Sequence, residues 1–103
     1  LRLDNLVVII DANDIQHDGP TKLIMGSAPL DDKWRAFGWN VTEVDGHDCA
    51  QLAAALRSTP GPSAVIAHTI KGRGISFMEG VVEWHSVCDP TRLPDAVEEL
   101  TRA

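Results

Sequence analysis

Asn5-Leu6-Val7-Val8-Ile9-Ile10-Asp11-Ala12-Asn13-Asp14-Ile15-Gln16-His17-Asp18-Gly19 is the stretch that decides the fold. Its opening run, Leu6 to Ile10, is apolar without alternation, too short for an ordinary helix and rich in β-branched residues, which predicts a buried strand. Such a run suits a parallel sheet covered on both faces. It breaks off at Asp11, Asn13 and Asp14 and turns at Asp18-Gly19. The carboxyl ends of parallel strands are where open α/β sheets bind ligands. Hard oxygen donors placed there suit Mg2+, which takes few protein ligands and completes its octahedron with water and phosphate. The plainer alternative is a polar exit from strand to turn, a common use of Asp and Asn.

Working outward, Lys22 to Ala28 reads as loop, and a short helix follows Pro29 with Leu30, Trp34 and Phe37 as one apolar stripe. Gly38 is placed to end it. Trp39 to Val44 predicts a second strand, closed by Asp45-Gly46. Asp48 and Gln51 form a capping box for a helix whose inner face carries Leu52, Ala55 and Leu56, and Pro60-Gly61-Pro62 stops it. Ser63 to His68 holds a third strand, apolar throughout Ala64-Val65-Ile66-Ala67. After an irregular stretch, Pro94 opens a final helix with Val97 and Leu100 turned inward. The fold class is therefore α/β, a parallel sheet with flanking helices and right-handed crossovers. Laid side by side in chain order, the strands put both crossover helices on one face and leave the other bare except for the last helix. A bare apolar face is a binding surface or a sign of missing chain. The chain is thus expected to be incomplete by itself, lacking preceding strands, a partner subunit, or both.

A chain of 103 residues makes one small domain, with 44% apolar residues to form its core. Nine Lys and Arg against fifteen Asp and Glu give a net charge of -6. That balance argues against nucleic acid or an acidic membrane as partner, since no net basic field is present. Cys49 and Cys88 lie far apart without metal-type spacing, which favours free thiols in a reducing compartment. No apolar run approaches membrane-spanning length. The expected location is cytoplasmic.

The third strand delivers Lys71-Gly72-Arg73-Gly74 at its carboxyl end. Glycines let a backbone approach an anion, and Lys and Arg supply charge, so this loop is a candidate phosphate grip, although many surface turns read the same way. His85 beside Trp84 is either a packed structural residue or a donor to a phosphate or substrate oxygen. His68, at a strand end, is either a core residue or part of this site, His17 sits inside the polar loop, and His47 in a solvated turn. Two strand tips that share one sheet edge would together fit a metal diphosphate.

Leu3-Asp4-Asn5-Leu6 running on to Gly19 resembles the second half of the thiamine-diphosphate motif of transketolases. Asp32-Lys33-Trp34-Arg35-Ala36-Phe37-Gly38-Trp39 with Glu43-Val44-Asp45-Gly46-His47-Asp48 is similar to the next block of that family. Ala67-His68-Thr69-Ile70-Lys71-Gly72-Arg73-Gly74-Ile75-Ser76-Phe77-Met78 with Glu83-Trp84-His85 resembles the third. The blocks follow in family order, and jointly they are specific where each alone is weak. The match is nearest to the amino-terminal subunit of split transketolases, in which the pyrophosphate-binding domain is a separate chain. By this resemblance, residues 1–103 are the carboxy-terminal part of that domain, a partial thiamine-diphosphate-binding fold.

The resemblance implies thiamine diphosphate and Mg2+ as cofactors. Asn13 would ligate the metal through its side-chain oxygen and Ile15 through its carbonyl. His17 stands near the thiamine ring where the family usually has an apolar side chain. Lys71 would lie near the cofactor or the site entrance, and His85 would contact the diphosphate or the donor substrate as the catalytic residue of this chain. The implied partners are a carboxy-terminal subunit bearing the pyrimidine-binding domain and its activating glutamate, an upstream Gly-Asp-Gly segment with the acidic metal ligand, and a sugar phosphate. A hetero-oligomer follows from that division of the site. The family's Gly after Trp-His is replaced here by Ser86-Val87-Cys88-Asp89-Pro90. The implied reaction is transfer of a two-carbon ketol unit from ketose to aldose. Alternatives are another thiamine-dependent ketol transfer or decarboxylation, motivated by Ser86 to Asp89 and His17, and a non-catalytic interaction module.

Overall fold

The computed structural model describes residues 3–16, 19–20, 29–57 and 61–102. His17, Asp18, Pro60 and the loop expected over Lys22 to Ala28 lie outside the described residues. Two units make up the chain, one from residues 1–13 and 26–69, the other from 14–25 and 70–103.

The first unit holds a parallel sheet of β1 (Val7–Ala12), β4 (Asn40–Asp45) and β5 (Ser63–His68). Its helices are α1 (Leu30–Ala36) and α2 (Cys49–Arg57). The spatial order is β1-β5-β4, so the last of these strands is central and the first forms an edge. This corrects the chain-order arrangement expected from sequence. The crossover from β1 to β4 passes beyond the position of β5, and the next one returns. Right-handed connections running in opposite directions place α1 and α2 on opposite faces of the sheet. Neither face of the centre is bare: Ile66 is 1% exposed and Val65, its neighbour on the other face, also 1%. Burying each contributes about 1.5–3 kcal/mol.

Register aligns Ile9, Val65 and Thr42 on one face and Ile10, Ile66 and Glu43 on the other. On the first of these faces Val44, Ala55, Val65 and Ala67 form the core, with Val7 and Leu52 packed against them. Cover reaches β1 at Val7 but leaves Ile9 54% exposed, so β1 is not the fully buried strand its composition predicts. Leu56 likewise stays exposed on α2.

The start of α2 follows the expected chemistry. Asp48 Oδ1 accepts from the backbone N–H groups of Ala50 (2.9 Å) and Gln51 (3.1 Å) at the start of α2. Gln51 Nε2 donates to Asp48, while Gln51 Oε1 accepts from the Asp45 N–H at 3.0 Å, tying the helix start to the end of β4. Gly38, at φ +84°, takes the left-handed turn after α1. Trp34 and Trp39 meet edge to face at 4.9 Å between ring centres. Phe37 points outward at 84% exposure instead of completing the stripe.

The second unit holds the two-residue antiparallel pair β2 (Ile15–Gln16) and β3 (Gly19–Pro20), 3-10 turns over Val82–His85 and Pro90–Arg92, and helix α3 (Leu93–Arg102). Asp89 caps the Pro90 turn by accepting from the Thr91 N–H at 3.0 Å. Val97 and Leu100 on α3 are 50% and 53% exposed, so the inward face expected for this helix is open in the described structure. Among the described residues, no helix is long and apolar enough to cross a membrane.

Candidate functional site

Parallel pairing in register, Ala12 opposite His68, brings β1 and β5 to an end at the same edge of the sheet. The Thr69 N–H donates to the Ala12 carbonyl at 3.3 Å, and the Thr69 hydroxyl donates to the Asp11 carboxylate. Asn13 follows immediately, half-buried, and Asp14 then takes φ +60°, a left-handed conformation that Asp tolerates better than most residues. The turn bearing Asn13 is therefore bounded by the Thr69 bonds on one side and a committed backbone on the other.

The end of β4 closes on the same edge. Gly46 donates its N–H to the His68 carbonyl at 2.8 Å. A Cβ at Gly46 would stand 2.4 Å from the Thr69 methyl and 3.1 Å from both Ala67 Cβ and the His68 carbonyl oxygen. Only glycine fits this approach. Asp45 Oδ1 accepts from the His47 N–H at 2.9 Å, so His47 belongs to the turn. His68 Nε2 lies 3.0 Å from Glu43 Oε1, both well exposed, an imidazole–carboxylate pair at the strand ends.

In the second unit the Lys71 loop is held by its own backbone. Gly80 N–H donates to the Lys71 carbonyl at 2.9 Å, and Ile75 N–H to the Gly72 carbonyl at 3.2 Å. Gly72 sits at φ +74°, and a Cβ there would meet the Met78 carbonyl oxygen at 2.5 Å. The Gly74 N–H donates to the Glu79 carboxylate at 3.0 Å. These glycines serve the closure of the loop, and one of their N–H groups already holds an anion from within it. Ser76 donates through both N–H and hydroxyl to Glu99 of α3, and these bonds hold the Glu99 carboxyl below its ordinary range.

His85 is exposed at the end of its 3-10 turn, while Trp84 beside it is half-buried, its ring centre 5.7 Å from that of Phe77. That contact ties the loop Lys71 opens to the turn His85 closes. The Arg92 guanidinium lies 3.8 Å over the Phe77 ring. Of the residues singled out from sequence, Asn13 stands in the first unit and Ile15, Lys71 and His85 in the second. Thr69, Gly46 and Glu43 carry no site reading from sequence, whereas His68, open there between core and site, is exposed at the strand end beside Glu43.

The family model described as transketolase, thiamine diphosphate binding domain, matches residues 1–91. The chain belongs to the transketolase family. It is 48% identical over 103 residues to an apulose-4-phosphate transketolase subunit of Actinobacillus succinogenes, covering 96% of this chain and 37% of that protein. It is 39% identical over 105 residues to the protein of the same description from Phocaeicola vulgatus, covering 97% and 37%. To a 6-deoxy-6-sulfo-D-fructose transketolase subunit of a Clostridium species it is 43% identical over 90 residues, covering 84% and 33%. The chain thus spans about a third of the length of these transketolase relatives. A crystal structure of transketolase from Campylobacter jejuni superposes with a TM-score of 0.67 at 29% identity, over 79% of this chain and 13% of that one. One from Pichia stipitis gives 0.69 at 21% identity, over 99% and 19%, and speaks to the fold alone. The partial α/β thiamine-diphosphate-binding fold expected from sequence is the observed one.

Among the described residues, no group of three or more His, Cys, Asp or Glu could hold a metal ion. The donors available fit Mg2+ in kind: a neutral amide oxygen on a turn at the strand ends is the hard ligand this ion accepts alongside phosphate and water. In number they are too few, among the described residues, for a cage.

Proposed function

We propose that this chain is the carboxy-terminal part of the pyrophosphate-binding domain of a split transketolase, and that its sheet edge holds Mg2+ and the diphosphate of thiamine diphosphate. The observation that carries the proposal is the in-register ending of β1 and β5, which sets the Asn13 turn beside the start of the segment leading to Lys71. Asn13 gives its side-chain oxygen to the metal, and Ile15 gives its carbonyl. Lys71 supplies positive charge toward the anionic cofactor or substrate. His85, exposed at its turn, donates to the diphosphate or to a substrate oxygen. When bound, thiamine diphosphate supplies the carbon nucleophile and electron sink for ketol chemistry. The acidic metal ligand comes from a Gly-Asp-Gly segment beyond these residues, and the activating glutamate from a partner subunit bearing the pyrimidine-binding domain. Relatives that are themselves named as single subunits of a transketolase support such a partner and a hetero-oligomer.

The reaction is transfer of a two-carbon ketol unit between sugars. Relatives named for apulose-4-phosphate and for 6-deoxy-6-sulfo-D-fructose support a ketose with an anionic end group as donor. The test is an assay of the full subunit with its partner against sugar phosphates, sulfo-sugars and α-keto acids, with an aldose acceptor. Ketol transfer from an anionic ketose is expected. Turnover of keto acids alone would replace this reaction with a decarboxylating one, and turnover of nothing, with no cofactor bound, would leave an interaction module.

A further inference from the structure

Thr69 joins three chain segments through three different atoms. Its N–H donates to the carbonyl of Ala12, its hydroxyl to the carboxylate of Asp11, and its methyl fills the space that Gly46 leaves open. Asp11 and Ala12 are the two residues directly before Asn13, and they are 58 and 57 positions from Thr69 along the chain. All of these atoms lie in the first unit. Asp11 is exposed, so the hydroxyl bond buries no charge, and a purely structural need for it is small. What the bond does is hold an acidic side chain along the sheet edge, two residues from a metal-binding amide. Without that bond the Asn13 turn would lose one of its two anchors.

We propose that Thr69 is a positioning residue: by holding Asp11 and Ala12 it sets the Asn13 turn for the Mg2+-diphosphate. This rests on the function proposed above. Partners of this kind, one step removed from the metal, change affinity by about 10–100-fold when removed.

The experiment titrates Mg2+ with thiamine diphosphate by calorimetry into the complex of the full subunit with its partner, and records thermal melting of each variant. Thr69→Val keeps the methyl and the N–H and removes only the hydroxyl. It is expected to weaken binding by about tenfold with melting little changed. Thr69→Ser restores the hydroxyl and should bind within about twofold of the parent. Asp11→Ala cuts the same bond from its exposed side and should match Thr69→Val, with the double variant no weaker than either. Parent-like binding by both Thr69→Val and Asp11→Ala, while Asn13→Ala weakens it, overturns the positioning role and leaves the metal site standing. Parent-like binding by Asn13→Ala overturns the metal site, and the role of Thr69 with it.

Discussion

Replacing Gly46 by alanine tests how tightly the three strand ends are drawn together. The new Cβ would lie 2.4 Å from the Thr69 methyl and 3.1 Å from both Ala67 Cβ and the His68 carbonyl oxygen. None of these is the free end of a flexible side chain. Ala67 is buried in the core, His68 O is the acceptor of the Gly46 N–H, and Thr69 is held by its hydroxyl to Asp11. Relief therefore requires moving the β4 turn away from β5, which places the cost in the usual range for overpacking, about 1–3 kcal/mol. For a domain near 100 residues each kcal/mol lowers the melting temperature by about 4–8 °C. Scanning calorimetry should then find Gly46→Ala lower by about 10 °C. The shortest of the three contacts is to the Thr69 methyl, so on a Thr69→Ser background the penalty for Gly46→Ala should fall by about half. A Gly46→Ala protein that melts with the parent would show that the strand ends are not packed this closely. So would a penalty unchanged by Thr69→Ser, because the methyl would then not be the obstacle.

Two further perturbations separate the central strand from the edge and test the cap of α2. Ile66→Ala should cost about 2–5 kcal/mol by urea unfolding, and Ile9→Ala about 1 kcal/mol or less, because only the first is enclosed; equal costs would contradict the strand order. Bonds from the Gln51 backbone and side chain, then from the Ala50 N–H, hold the Asp48 carboxyl below its ordinary 3.8. A carboxyl depressed on folding adds stability above its unfolded value and loses it as pH falls through the folded one. Melting followed from pH 6 down to about pH 2 should therefore decline less steeply below 3.8 in Asp48→Asn than in the parent. Parallel curves would show that the cap carries no pH-dependent stability.

Much of this architecture is legible locally. Ala64 to Ala67 reads as a buried strand and is one, and Asp48 with Gln51 reads as a helix start and acts as one. The order of the strands is not local. Leu6 to Ile10 is as apolar as Ala64 to Ala67, yet which run takes the centre depends on where each crossover returns, and here the second returns between the first two strands. Val97 and Leu100 share a helix face as the spacing predicts, but periodicity says which residues align, not whether anything covers them. At the site, the polar exit at Asn13 and the glycine loop at Lys71 are visible from residue type. The purpose of Gly72 is hidden, since the Met78 backbone that requires it is met only after the loop closes on itself. Thr69 is hidden for a related reason: a hydroxyl is unremarkable until folding brings it to Asp11, and only then do two strand ends share one side chain.

The proposed role of the Asn13 turn is to grip a magnesium diphosphate. It is tested most directly by titrating thiamine diphosphate at fixed Mg2+ into the full subunit with its partner, comparing the parent with Asn13→Ala. The parent is expected to bind in a Mg2+-dependent manner, and Asn13→Ala to lose at least about tenfold in affinity while melting as the parent does. Equal affinity in the two proteins, or binding indifferent to Mg2+, would contradict it.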